Sequence, residues 1–222
     1  MKIINSPELL KEYVNTKPFV DYFHKSISTY AKIVEFEENE YVFIQGQVPE
    51  FLYLMMDGRC RVQMVLPNGK GIILHTMGAP CLIGEMELIR DVPTFAVQTL
   101  EKCRMISLPW NICKKYLLED AFFLRQLCFD LIGKERMNAA SLIHTFGYPL
   151  EHRLAKFILD NRQEDKFKVK KVYISESLGV SYRHVGKVMS DFVNKGYLLK
   201  NKLEYTIINE NALKTFVKEM EL

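Results

Sequence analysis

The residues best suited to chemistry stand together in Ser181-Tyr182-Arg183-His184 and, one helical turn on, Lys187. Their groups donate hydrogen bonds, which suits them to recognition rather than to bond making. An Arg donates two bonds to the edge of a guanine in the major groove, and a Lys or a free backbone amide at a helix start meets phosphate. The surrounding YISESLGVSYRHVGKVMSDFVNKGYLL reads as a short helix ending at Gly179, followed by a second helix capped by Ser181 and running to about Asn194. Gly179 takes the left-handed conformation of the sharp turn. The second helix buries Val185, Val188, Met189 and Phe192, so Tyr182, Arg183, His184 and Lys187 project outward, three of them near its N-terminus.

Two strand-like pieces follow, GYLLK and LEYTII, joined at Asn201-Lys202, and then a helix holding Leu213, Phe216 and Val217. The hairpin reads as a wing, with Lys202 at its tip, so the segment is a winged helix-turn-helix whose ligand is double-stranded DNA. Arg183 and Lys187 are the strongest contacts. His184 is either a base contact or a surface histidine, and Tyr182 either touches phosphate or packs on the wing. Gly186 costs about 1 kcal/mol relative to Ala inside a helix, and its expected use is close approach of the motif's first helix.

The charge distribution supports a polyanionic partner at this end only. Of 30 Lys and Arg and 27 Asp and Glu, residues 146–222 hold 14 and 10, leaving 16 and 17 for residues 1–145. Between Arg162 and Lys202 there are ten basic and four acidic residues. The first residues, MKIINSPELLKEY, lack a secretory pattern, and no apolar run is long enough to span a membrane, so the expected location is cytoplasmic with no membrane partner. His24, His75, His144, His152 and His184 form no H-x-H or E-x-x-H constellation, and the five cysteines form no C-x-x-C pair. No metal site and no enzyme are therefore expected.

The rest of the chain must position the motif. From Lys32 to Leu108, short runs rich in Val, Ile, Phe, Tyr and Thr alternate with turn residues, as in RCRVQMVL-PNGKG-IILHT and at Asp57-Gly58. Many short strands at this spacing predict a β sandwich or barrel with an interior, preceded by one or two helices around Pro7 to Phe23. After Trp110 the period becomes helical. Leu124, Leu127, Cys128, Leu131, Ile132, Asn138, Ala139, Leu142 and Ile143 recur at steps of three, four or seven, giving one long helix that ends near Gly147. Its apolar stripe either packs on its own β-domain or forms a coiled-coil-like seam with a second copy. Leu150, Leu154, Phe157 and Ile158 form a further helical stripe, and NRQEDKFKVKK reads as a polar basic loop.

The order of these parts resembles the Crp/Fnr family of bacterial transcription regulators. IGEMEL, comprising Ile83, Gly84, Glu85, Met86, Glu87 and Leu88, looks like that family's pocket segment, and LGVSYRHVGKVMSDF looks like its recognition motif. Together with APCLIGEMEL, FLRQLC and YPLEHRLAKFIL, the likeness is to the YeiL-like subgroup. It implies an α+β chain: a cupin-like β-roll of the jelly-roll kind over 1–115, acting as a cyclic-nucleotide-binding-like sensor, a dimerisation helix over 116–146, and a winged helix-turn-helix over 147–222. It further implies a homodimer on a near-palindromic site, with half-sites one helical turn, roughly 34 Å, apart, and admits RNA polymerase as a partner.

The effector is not identified by the resemblance. The pocket candidates are Ile83, Gly84, Glu85, Met86, Thr94 and Phe95. In cyclic-AMP receptors of this family an Arg neutralises the nucleotide phosphate; here VPTFAV puts Thr94 at that position and Phe95 next to it, so a buried phosphate would lack its countercharge. Glu85 serves either ribose or the turn itself, bonded to backbone amides. The iron-sulfur members carry an N-terminal cysteine cluster, whereas no Cys precedes Cys60 here. The cysteines stand either as buried small apolar residues or as redox centres, for which Cys81 and Cys103 are the candidates. The alternative is a regulator whose pocket is filled by Phe95 and its neighbours and takes no small molecule.

Overall fold

The computed structural model describes the whole chain except residues 70, 91–94, 202, 203, 221 and 222, and only the backbone of residues 89, 90, 140, 141, 144 and 145. It divides into two compact units, Met1–Glu135 and Arg136–Leu222. Thr94 and Lys202, both named above, lie outside the described residues.

The first unit opens with a short strand, β1 (Lys2–Ile4), then α1 (Pro7–Tyr13), α2 (Lys17–Tyr22) and a 3-10 turn at Lys25–Tyr30. Ser6 caps α1 by accepting from the Leu9 amide, and a proline occupies the first turn of each helix, where no amide partner is lost. Strands β2 (Lys32–Phe36), β3 (Tyr41–Phe43), β4 (Phe51–Asp57), β5 (Arg59–Val65), β6 (Gly71–Gly78) and β7 (Cys81–Ile83) follow. Next come α3 (Glu85–Arg90), β8 (Ala96–Thr99), β9 (Cys103–Pro109), α4 (Trp110–Tyr116) and α5 (Ala121–Gly147).

These strands make two sheets, ordered β1-β2-β9-β4-β7 and β3-β8-β5-β6. Alternation along each strand explains the layers. On β4, Tyr53 and Met55 face the apolar cluster between the sheets, while Leu52 and Leu54 face a second cluster under the helices. The expected hairpin is β5-β6, paired from Arg59↔Gly78 to Val65↔Gly71. In its turn Gly69 has positive φ, at 78°, and its amide donates to Leu66 O at 2.8 Å. Asp57-Gly58 does more than reverse the chain: β4 and β5 belong to different sheets, so the chain crosses between layers there. Gly58 has φ +96°, and a Cβ would lie 2.5 Å from Cys103 Sγ and 2.8 Å from Lys102 O. Only glycine fits this crossing.

Helix α5 carries apolar residues on two faces, one packed on its own unit and one exposed. Phe123 and Leu127 are buried in the cluster under the helices, and Leu124 and Leu131 pack partly against it. By contrast Phe129 (64% exposed), Ile132 (58%), Met137 (57%), Leu142 (56%), Ile143 (57%) and Phe146 (85%) are bare.

The second unit contains, after the end of α5, α6 (Leu150–Asp160), β10 (Lys166–Phe167), α7 (Lys171–Ser177), α8 (Tyr182–Asn194), β11 (Leu198–Lys200), β12 (Tyr205–Ile207) and α9 (Glu210–Lys218). The segment expected to be a basic loop is corrected here. It contains β10, whose Phe167 is fully buried and which pairs with β12, so the wing sheet has three strands, β10-β12-β11. One aromatic ring in the charged run KFKVKK anchors it, and alternating lysines obscure the pattern.

Candidate nucleic-acid interface and effector pocket

The helix-turn-helix is built from α7 and α8. Gly179 at φ +65° turns the chain, and the Val180 amide reaches back to Ser175 O at 3.0 Å. Arg153 of α6 donates from Nη1 to Leu178 O at 2.9 Å, tying the turn to the helix beneath it. Ser181 is the N-cap of α8, its side chain accepting from the His184 amide at 3.2 Å. Val185, Val188, Met189 and Phe192 are the buried residues of α8, as their spacing requires.

Consequently Ser181, Tyr182, Arg183, His184 and Lys187 are all brought to one exposed end of the helix, with Tyr182 at 55% exposure. Arg183, Lys187, Lys168, Lys170, Lys195 and Lys200 are exposed and have no ion-pair partner among the described residues. Arg162 and Lys166 differ: they pair with Glu210 at 2.9 Å and Glu204 at 3.9 Å. The basic run therefore contains two structural members and a set of uncommitted cations. Gly186 corrects an expectation. A Cβ there would meet only Lys171 Nζ, at 4.0 Å, so close approach of α7 does not require the glycine.

In the first unit the pocket segment spans the end of β7 and the start of α3. Gly84 has φ +99°, and a Cβ would lie 2.7 Å from the Phe43 ring. Ile83 is buried in the cluster between the sheets and Phe95 packs against its edge, whereas Met86 is exposed. Between the sheets lie Val34, Phe36, Phe43, Tyr53, Met55 and their apolar neighbours.

Glu85 is buried and pairs with a cation far along the chain. Its Oε1 accepts from Lys134 Nζ of α5 at 2.7 Å. The same ammonium lies 2.9 Å from Asp130 Oδ2 and donates to Leu82 O at 2.9 Å. Tyr22 OH donates to Asp130 Oδ1 at 3.1 Å. Burial pulls the Lys134 ammonium down, but the Glu85 and Asp130 carboxylates outweigh it and hold the group above the ordinary lysine value. Burial, helped by Asp130, raises the Tyr22 phenol. Only the Asp130-Lys134 spacing, four residues on a helix, was open to sequence reasoning; Glu85 is 49 residues from its partner.

Replacing Lys134 with Met should destabilise the first unit by about 3 kcal/mol, because it leaves Glu85 buried without its countercharge. Urea unfolding of the two proteins at neutral pH measures this. Since the folded-state value of Lys134 is raised, its contribution is complete below the ordinary lysine value and fades as pH rises through the folded value. The gap between the two proteins should therefore close only in strong alkali.

The sulfur groups lie mostly inside. Cys81 is half-buried, and burial pushes its thiol up to about 12. Cys103 is fully buried, its thiol 3.3 Å from Arg59 O and 3.2 Å from Glu101 O. Cys60 is also fully buried, its thiol donating to Met55 Sδ at 3.4 Å. His75 is held below its ordinary value by burial and then by the Lys134 charge, and its Nδ1 has no hydrogen-bond partner among the described residues. No cluster of three or more His, Cys, Asp or Glu suited to a metal occurs among the described residues. No described helix is long and apolar enough to cross a membrane.

Comparison with known proteins bears on both regions. The cyclic nucleotide-binding domain family matches residues 33–120. The chain is 37% identical over 204 residues to the regulatory protein YeiL of Escherichia coli O157:H7, covering 91% of this chain and 93% of that one. A CRP-like cAMP-activated global transcriptional regulator of Mycobacterium tuberculosis is 24% identical over 74% of this chain and 79% of its own. In fold, the chain is similar to a transcriptional regulator of the Crp/Fnr family from Eubacterium rectale, with TM-score 0.78 and 16% identity, covering 94% of this chain and 97% of that one.

Proposed function

The chain belongs to the Crp/Fnr family of transcription regulators, and on that premise we propose that it binds a near-palindromic DNA site as a homodimer, without cyclic AMP as its effector. The observation that carries the DNA reading is the exposed end of α8, where Arg183, His184 and Lys187 stand beside a capped N-terminus with no acidic partner among the described residues. Such an end inserts into a major groove, with Arg183 aimed at base edges and the others at bases or phosphate. Residues 147–222 then read DNA, residues 116–146 pair two copies, and residues 1–115 receive the signal. The bare apolar face of α5 supports the pairing.

Two features of the first unit support an input other than cyclic AMP. Thr94 replaces the cation that a phosphate needs, and Glu85, the carboxylate of the pocket segment, is committed to Lys134. A second reading, in which no small molecule enters at all, is favoured by the apolar filling between the sheets, including Phe95.

Binding to a mixed-sequence duplex across a salt series tests the polyanion claim. Affinity should fall steeply and linearly on a log-log scale. Lys202→Ala should weaken binding to all sequences alike and lower the slope by about 1. Binding indifferent to salt would contradict the reading.

A further inference from the structure

Where a glycine serves the fold, the reason is visible. Gly58 and Gly84 face atoms that a Cβ would overlap, and Gly179 and Gly196 take positive φ at turns, 65° and 70°. Gly186 has neither reason. It lies in the second turn of α8, and apart from the helix's own backbone the described atom within 4 Å of where its Cβ would stand is Lys171 Nζ, at 4.0 Å. Glycine is, after proline, the least favourable residue in a helix interior. The free chain would be more stable with alanine at this position.

The position lies on the outward side of α8. Val185, Val188, Met189 and Phe192 turn into the core, while Gly186 stands three residues after Arg183 and four before Ser190, both exposed, and next to exposed Lys187. The missing side chain leaves a hollow in this face. Ser190 does not fill it, because its hydroxyl donates to Gly186 O at 2.9 Å and is held down on the helix. At the edge of the hollow stands the ammonium of Lys171, the first residue of α7, which makes no ion pair among the described residues.

Given the reading of α8 as the DNA-reading helix, we propose that Gly186 is a positioning residue for DNA: the hollow it leaves seats a backbone phosphate, and Lys171 meets that phosphate from α7. The neighbouring cation favours a phosphate over a base edge as the occupant. Attraction between exposed charges is weak in water and fades with distance, so this ammonium holds a phosphate only if the anion comes down to the helix surface. A methyl group at position 186 stands in the way. Since every nucleotide carries a phosphate, the seat adds affinity without choosing a base. It also fixes how closely α8 approaches the groove, which is the distance Arg183 must span to reach base edges. The glycine therefore weakens the free helix and strengthens the complex.

Gly186→Ala, Lys171→Ala and the double variant, each in the full chain, are compared with the wild-type chain by thermal unfolding without DNA and by titration of a mixed-sequence duplex across a salt series. Gly186→Ala should unfold a few degrees higher than the wild-type chain, yet bind the duplex about tenfold more weakly for each copy bound. Lys171→Ala should lower the slope of log affinity against log salt by about 1 for each copy bound. The double variant should bind no more weakly than Gly186→Ala, because both substitutions remove the same contact. The proposal is overturned by a Gly186→Ala chain that binds as tightly as wild type or gains no stability. It is equally overturned by an unchanged slope in Lys171→Ala, or by losses that multiply in the double variant. If the wild-type chain itself fails to bind the duplex at low salt, the DNA reading falls and the seat with it; any of the other contrary results beside normal wild-type binding removes the seat alone.

Discussion

Arg183→Ala will lose discrimination at one base pair of each half-site while the protein keeps its fold. Arg183 sits in the first turn of α8, exposed and without an ion-pair partner among the described residues, so its guanidinium is not part of the packing. A bidentate contact from Arg to guanine discriminates by about 1–3 kcal/mol. In a symmetric complex the loss occurs twice, so competition between the preferred duplex and one changed at that pair in both halves should narrow by the square of the single-site factor. Measurement of both affinities at one salt concentration checks it, with unchanged thermal unfolding as the control. If the variant keeps both affinity and base preference, Arg183 does not read DNA, and Lys187 and His184 become the remaining readers.

The second large effect is expected on α5. Phe129, Ile132, Ala139, Ile143 and Phe146 recur along α5 at steps of three, seven, four and three, and every one is exposed in the single chain. A contiguous apolar face of this length is unusual on a chain that stays alone, and its period is that of paired helices. Ile143→Glu would put two carboxylates near one another across a two-fold axis, each deprived of water. Sedimentation should show the variant as a monomer at concentrations where the wild-type chain is a dimer. Its affinity for a two-half-site duplex should fall about a hundredfold or more, since the second half-site no longer gains from tethering to the first. A variant that remains dimeric would place the interface elsewhere.

Local signals in the sequence translated into structure where one physical cause dominated. Ser181 is followed by a strict four-residue buried set, and both the cap and the helix face are found where they imply. The strands of the roll were legible because alternation and turn residues agree, as in the β5-β6 hairpin. Readings failed where a residue's role depends on something far along the chain. Glu85 waits for Lys134, and that pairing leaves no mark in local pattern. Phe167 became a buried strand residue because β12 supplies its pairing, although the lysines around it suggest a loop. The stripe of α5 mixed two faces, since residues at its start pack on the roll while later ones are bare. Gly186 invited an explanation from packing that its surroundings do not support. Its cost in helix propensity should be recoverable in protein that is not bound to DNA.

Selection of bound duplexes from a random pool, using the intact chain, tests the central claim most directly. Protein prepared without oxygen and protein treated with peroxide should be run side by side. The expected result is an enriched motif with two-fold symmetry, its half-sites about one helical turn apart, carrying a guanine that Arg183→Ala ceases to select. An enriched but asymmetric single half-site would contradict the dimer, and no enrichment in either preparation would contradict sequence-specific binding by the unliganded chain.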